Sequence, residues 1–322
     1  MRSLLFLAVG IGLVVSTGCG PTGSTAPVLE RSQSTSLASN ALPAPSPTGF
    51  NPAASGPQPP GWLCKKCHAK SFIYVAAGSE IAIFSGSGAD RHTIGAITDH
   101  VNGAYGLFVD RKQDLYVANQ DGWISAYHSR HLQPWIVYTV PGTPLYVAVD
   151  RTGRVYAANR GGTVSEFPAG QTTPDRTLKT PGYEADGINF DAADNLYVAY
   201  RARRSGSIEE FPKNSTSGQI LGMHLQGPQG LQIDRSGNII VVETGNGTID
   251  MFRPGAKRPF HVVQAGVWVT QIALTKAQQN IFYSNYRDSN VYASRYPPDQ
   301  FQLRIDTGLM NVQGMALSNE AR

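Results

Sequence analysis

LYVANQDGWISAY (residues 115–127), VYAANRGGTVSEF (155–167) and IIVVETGNGTIDMF (239–252) are copies of one pattern. Each holds an alternating apolar run, a turn rich in Asn, Asp, Gly or Thr, and a second run carrying a β-branched residue followed three positions later by an aromatic. Paired runs of this kind read as β-hairpins. Followed through the chain, the first run gives the column Tyr74, Tyr116, Tyr156, Tyr197, Ile240, Phe282, spaced by 42, 40, 41, 43 and 42 residues. The second run gives Ile81, Ile124, Val164, Ile208, Ile249, Val291, and beyond it Phe84, Tyr127, Phe167, Phe211, Phe252, Ser294. A strand-patterned period near forty residues is that of one β-propeller blade.

Ahead of each first run lies another short apolar strand closed by a turn, as in LFVDRKQD from Leu107, VAVDRTGR from Val147, INFDAADN from Ile188 and LQIDRSGN from Leu231. The recurrent Asp110, Asp150, Asp191 and Asp234 occupy one turn position, where a carboxylate accepts backbone amides a few residues on. They read as turn residues rather than a metal cluster. The repeat opens at the second strand, near Phe72, and the chain ends on VQGMALSNEAR (312–322), which aligns with the first strand elsewhere. The expected fold is therefore all-β: a six-bladed β-propeller of four-stranded antiparallel blades, closed by the C-terminal strand pairing with the N-terminal blade. One such sheet cannot bury both faces, whereas a ring of stacked sheets can.

The VD-type turns and the quoted blocks resemble NHL-type six-bladed propellers over nearly everything after Phe72. The resemblance implies the fold; that family includes protein-binding modules, RNA-binding modules and enzymes.

The expected domain order is a signal peptide (1–18), a Pro/Ser/Gly-rich tether (19–62), a Cys-x-x-Cys-His lead-in (63–71) and the propeller (72–322). Arg2 precedes an apolar run from Leu4 to Val15, shorter than the roughly 20 residues of a spanning helix. With Cys19 just beyond, this stretch resembles a bacterial lipoprotein signal, which implies lipidation at Cys19. The expected location is extracytoplasmic and membrane-anchored, at a periplasmic face or the cell surface, with plain secretion as the alternative. The tether holds few large apolar side chains to offset the entropy of ordering. A net charge of +4 and no aromatic-interleaved basic face read against nucleic-acid binding. A monomer is expected.

Function should lie where the repeats disagree. Five positions before the turn position stand Tyr105, Leu145, Asp186, Gln229, Thr270 and Gln313; seven before it stand Gly103, Thr143, Glu184, Gly227, Trp268 and Asn311. Between them runs the apolar column Ala104, Pro144, Ala185, Pro228, Val269, Val312, expected to pack inward. Both polar columns are expected at one mouth of the central channel, giving a binding site of Tyr105, Glu184, Asp186, Gln229, Trp268, Thr270, Asn311 and Gln313. The mouth is similar to that of lactonase-like propellers of the gluconolactonase and senescence-marker group, which implies a divalent cation. Glu184, Asp186, Asn102 and Asn311 would be its ligands here, although Pro228-Gln229-Gly230 stands where that group often has Pro-Asn-Gly. Cys64, Cys67 and His68 have the spacing of covalent haem c attachment or of a zinc-type site, but with no room for a haem-wrapping domain on either side a local disulfide or free dithiol is the leading reading. No H-E-x-x-H or G-x-S-x-G occurs, so no catalytic residues are assigned. The leading expectation is a binding or scaffold module, without a resident cofactor, for a protein, peptide or glycan. A metal-dependent hydrolase or lactonase at the mouth is the alternative, and a haem-bearing redox protein the second.

Overall fold

The computed structural model describes residues 61–65, 67, 69–86, 93–203, 205–297 and 301–318, without the side chains of 301–303. The expected signal peptide, Cys19, His68 and all but the last two residues of the expected tether lie outside the described residues.

The described chain is all strand and turn. Its first strands are β1 (Gly61–Leu63), β2 (Phe72–Ala77), β3 (Glu80–Ser85) and β4 (Thr93–Ile97), then β5 (Ala104–Val109), β6 (Leu115–Asn119), β7 (Trp123–Tyr127) and β8 (Ile136–Thr139). Next come β9 (Thr143–Val149), β10 (Val155–Arg160), β11 (Thr163–Phe167) and β12 (Arg176–Lys179), then β13 (Glu184–Phe190), β14 (Leu196–Arg201), β15 (Ser207–Phe211) and β16 (Gln219–Ile220). The last are β17 (Pro228–Ile233), β18 (Ile239–Glu243), β19 (Thr248–Phe252), β20 (His261–Gln264), β21 (Val269–Leu274), β22 (Asn280–Asn285), β23 (Asn290–Arg295), β24 (Phe301–Asp306) and β25 (Val312–Leu317).

These strands form antiparallel meanders in a propeller-like arrangement. Three sheets are four-stranded, β5–β8, β17–β20 and β21–β24, while β9–β12 and β13–β16 share one sheet through a single pairing of Arg160 with Glu184. The remaining sheet runs β1-β4-β3-β2-β25, so the C-terminal strand pairs with the first meander, Tyr74 opposite Ala316 and Val75 opposite Met315. Gly61–Leu63 extends that sheet's outer edge by pairing with β4, which draws the end of the expected tether into the sheet.

The first strand of each meander packs on that of the next, around a closed circuit through β5, β9, β13, β17, β21, β25 and back to β5. The hydrophobic clusters lie between consecutive meanders; Val164 and Leu178, for example, meet Val198 and Phe211. Ile81, Ile124, Val164, Ile208, Ile249 and Val291 are all 0% exposed, which explains why that column keeps a β-branched residue. Burying each contributes about 1.5–3 kcal/mol. The turn aspartates act as their position dictates: Asp150 Oδ1 accepts Thr152 N at 2.8 Å and Arg154 N at 3.0 Å, and Asp234 Oδ1 accepts Ser236 N and Asn238 N, both at 2.8 Å.

Candidate functional site

The innermost strands do not pair regularly with their neighbours. A register shift lies between Ala104 and Leu107, Ala185 and Ile188, Pro228 and Leu231, and Val269 and Ile272, with comparable irregularities against β25 and β9. A β-bulge adds a residue to one strand and re-aims its side chain. Tyr105, Leu145, Asp186, Gln229, Thr270 and Gln313 are the residues at these bulges.

That placement separates the two polar columns which the sequence grouped at the mouth. The bulge residues turn into the ring, where Asp186 is 0% exposed, Thr270 4% and Gln229 5%. The column two positions earlier forms the rim, with Trp268 and Asn311 exposed and Glu184 half-buried. The apolar column between them is buried, as expected. A strict two-residue alternation would have put both polar columns on one face; the bulge breaks it.

Beneath the rim the ring is crossed by hydrogen bonds. Gln229 Nε2 donates to the Tyr105 hydroxyl at 3.1 Å, while Thr244 Oγ1 donates to Gln229 Oε1 at 3.0 Å. Thr270 Oγ1 bonds Ser284 Oγ at 3.0 Å and donates to the carbonyl of Gln313. Burial, then the neighbouring Asp186 carboxylate, pushes the Tyr105 hydroxyl up to about 12, so it stays protonated.

Two residues missed in the sequence complete this layer. The position after each bulge residue is Gly106, Tyr146, Gly187, Gly230, Gln271 or Gly314. A Cβ on Gly187 would sit 1.9 Å from Gln229 O, and one on Gly314 2.0 Å from Tyr105 O, so glycine permits the close approach of neighbouring inner strands. Tyr146 and Gln271 instead reach across the ring. The Tyr146 hydroxyl donates to Thr270 O at 2.7 Å, and Gln271 Oε1 accepts from Leu107 N at 3.1 Å and Met315 N at 3.2 Å. The signal was a column of glycines broken by Tyr and Gln.

The acidic pair at the mouth is matched by arginines. Arg201 Nε donates to Asp186 Oδ2 at 2.8 Å, Arg201 Nη2 pairs with Glu184, and Arg160 Nε lies 3.3 Å from the other oxygen of Glu184. Burial pushes Asp186 up to about 7 even with Arg201 beside it. Of the other two metal candidates, Asn102 bonds Asp121 through Nδ2, and Asn311 is tied down by its backbone, whose N donates to Ser289 Oγ at 3.0 Å. These four do not fit a calcium-type cage, since guanidinium groups already neutralise both carboxylates. Arg160 and Arg201 close their strands as second-strand residues, a position that carried no repeat signal.

The rim carries the exposed apolar surface. Trp268 is 49% exposed and stacks on Tyr286 with centroids 5.4 Å apart and planes 19° from parallel. Val267 and Met310 are exposed beside Trp268 and Asn311 in sequence, and Ser289 links the Tyr286 turn to Asn311. Trp268 has φ 68°, in the left-handed region that Gly103 (58°) and Gly227 (68°) occupy in the same column. Left-handed backbone costs an L-residue roughly 1–2 kcal/mol.

Away from the mouth, Cys64 and Cys67 form a disulfide packed against the first meander. With the sulfurs bonded to each other, this arrangement does not fit thioether attachment of haem.

No protein-family model matches the chain, and no curated protein sequence matches it. Among solved structures it is similar to a chain in the crystal structure of a nidogen/laminin complex, at 17% identity and a TM-score of 0.62, covering 77% of this chain and 98% of that one. It is also similar to a protein of unknown function from Bacteroides caccae, at 12% identity and a TM-score of 0.60, again covering 77% and 98%. At such identities the likeness shows the fold alone, a β-propeller.

Proposed function

We propose that this chain is an exported, lipid-anchored, NHL-like propeller of six blades that binds a protein or peptide partner on its mouth-side rim. The observation that carries the reading is Trp268, half-exposed, stacked on Tyr286 and held in a backbone conformation that glycine fills in two sister repeats. Strain tolerated on an exposed aromatic is a reason to infer a surface role. Tryptophan is also a frequent interface hot spot. Among the similar structures, the nidogen/laminin complex is an assembly of two proteins. The blade count rests on the sixfold column and on the division of the shared sheet into two meanders, β9–β12 and β13–β16.

A photo-crosslinking side chain at Met310 in the exporting cell tests the reading. A discrete protein adduct is expected, and Trp268→Gly should weaken its formation by about thirtyfold, as for a hot spot worth about 2 kcal/mol. The same substitution should leave stability within about 1 kcal/mol of the parent, because relief of left-handed strain offsets the lost stacking. Adducts that survive Trp268→Gly would move the site elsewhere; glycan binding without a protein adduct would replace the partner class.

Export and anchoring rest on the apolar run after Arg2, on Cys19 and on the Pro/Ser/Thr-rich stretch that follows. The intact mass of the mature protein is expected to begin at Cys19 with lipid attached. An unmodified N-terminus ends the anchor proposal and leaves the rim reading intact.

A further inference from the structure

We propose that Glu243, Thr248 and Asp250 form a binding site for one hard divalent cation of the calcium class, sealed between the β13–β16 and β17–β20 meanders. Glu243 stands directly opposite Thr248 across the β18/β19 pair, so their side chains share a face, and Asp250, two residues on, shares it too. That face is turned toward the preceding meander, because Val241 and Phe252, in step with these residues, pack on Ala199 and Ile208.

Sister repeats show what this place ordinarily holds. Asn119 donates through Nδ2 to Ser125 Oγ at 3.1 Å, and Asn159 to Ser165 Oγ at 3.0 Å, each a neutral donor-acceptor pair. Glu243 and Asp250 occupy the equivalent positions on β18 and β19. Two ionised carboxylates there have no donor between them; a proton on Glu243, favoured by burial and by Asp250, would supply one, and a bound cation would meet the same need.

Three observations favour a metal ion. Glu243 is 3% exposed, Thr248 5% and Asp250 7%, yet Thr248 Oγ1 and Asp250 Oδ1 have no hydrogen-bond partner. The Thr248 hydroxyl is thus an orphaned polar group on the face that both carboxylates share, and such a group calls for an ion or water. Three other buried acids are neutralised by the protein's own cations: Glu166 receives Arg154 Nε at 2.6 Å, Asp186 receives Arg201 Nε at 2.8 Å, and Asp194 lies 3.1 Å from Lys213 Nζ, whereas Glu209, a lone carboxylate, has no ion pair among the described residues. Among the described residues neither Glu243 nor Asp250 has such an ion pair. Finally, Glu243 is already positioned, its Oε2 accepting Gln226 N and Asn246 Nδ2, both at 2.8 Å. Outer hydrogen bonds of this kind orient a metal ligand.

The donor set selects the ion. Two carboxylates and a hydroxyl are hard oxygen ligands, with no His or Cys to favour zinc. Calcium accepts irregular oxygen coordination, whereas magnesium demands near-octahedral geometry and keeps its waters.

Calcium titration of the chelator-treated full chain, by calorimetry and equilibrium dialysis, tests the proposal. One calcium per chain is expected, with a Kd below about 1 mM, and with a calcium-dependent rise in Tm. Glu243→Gln and Asp250→Asn should each weaken uptake by at least about tenfold, since ligand charge sets the affinity. Thr248→Val, nearly isosteric, keeps the site testable should a carboxamide variant fail to fold, and it too should weaken uptake. Folded parent protein that takes up no calcium at about 5 mM overturns the proposal. So does uptake that all three variants leave unchanged, or that Glu184→Gln abolishes instead.

Discussion

A chain lacking residues 312–322 is expected to lose its cooperative unfolding transition. Deletion removes β25, whose Val312 and Met315 are 0% exposed and Ala316 4%, and with it the ladder from Ile73–Leu317 to Ala77–Val312. It also removes a clasp next to that ladder, in which Phe72 N donates to Ser318 Oγ at 2.7 Å and Ser318 N to Phe72 O at 2.9 Å. At about 1.5–3 kcal/mol for each large apolar side chain and about 1 kcal/mol net for each hydrogen bond, the loss matches the whole net stability of a typical domain, about 5–15 kcal/mol. The damage is not confined to one sheet. β25 packs on both β5 and β21, so its absence opens the circuit and bares two inner strands. Urea unfolding followed by far-ultraviolet dichroism and by tryptophan fluorescence should give broad, non-coincident curves in place of one transition. A truncated chain with the parent's midpoint and slope would show that the ring does not depend on this closure.

That closure was legible because it follows from repeat phase alone: a chain that enters at a second strand and leaves at a first must join the two. Burial was legible for the same reason, since Ile81, Ile124 and their counterparts are held by packing between meanders, and packing constrains residue type at every repeat. The mouth was only half legible. The sequence identified Glu184, Asp186 and Trp268 as departures from the repeat, but a two-residue alternation cannot foresee a bulge. One inserted residue sends Asp186 and Gln229 into the ring and leaves Trp268 on the rim. Arg160 and Arg201 escaped notice because ion pairing across three strands depends on which strand ends meet, here β10 against β13 and β13 against β14. Glu243 and Asp250 went unnoticed, although they stand where other repeats have Asn119–Ser125 and Asn159–Ser165. What the sequence lacked was the register that sets them on one face.

Replacing Arg201 should therefore cost more than any other single change at the mouth. Arg201→Met leaves Asp186, which is 0% exposed, without the guanidinium that now lies 2.8 Å from its Oδ2 and 3.3 Å from its Oδ1. Removing one partner of a buried ion pair costs roughly 3–5 kcal/mol where the group left behind stays charged, which for Asp186 requires a pH well above 7. The cost should depend on pH, in a direction fixed by Asp186. Its folded-state value, about 7 against the ordinary 3.8, lies above the unfolded one, so the folded chain holds the proton more tightly across that window. Stability from this group is complete below the lower value and falls as pH rises through the higher one. Without Arg201 the folded-state value climbs further, because burial remains while its main opposing charge is gone. The difference between parent and Arg201→Met should stay small up to about pH 6, where Asp186 is protonated in both folded chains, and should open as pH rises through about 7 and beyond. Adding Asp186→Asn to Arg201→Met removes the orphaned charge and should recover most of the loss and nearly all of the pH dependence, leaving the exposed share of the Glu184 pairing. Urea midpoints of the single and double variants across that range measure both effects. A loss that stays under about 1 kcal/mol even above about pH 7, or one that does not change with pH, would mean that the Arg201 guanidinium is not what neutralises Asp186.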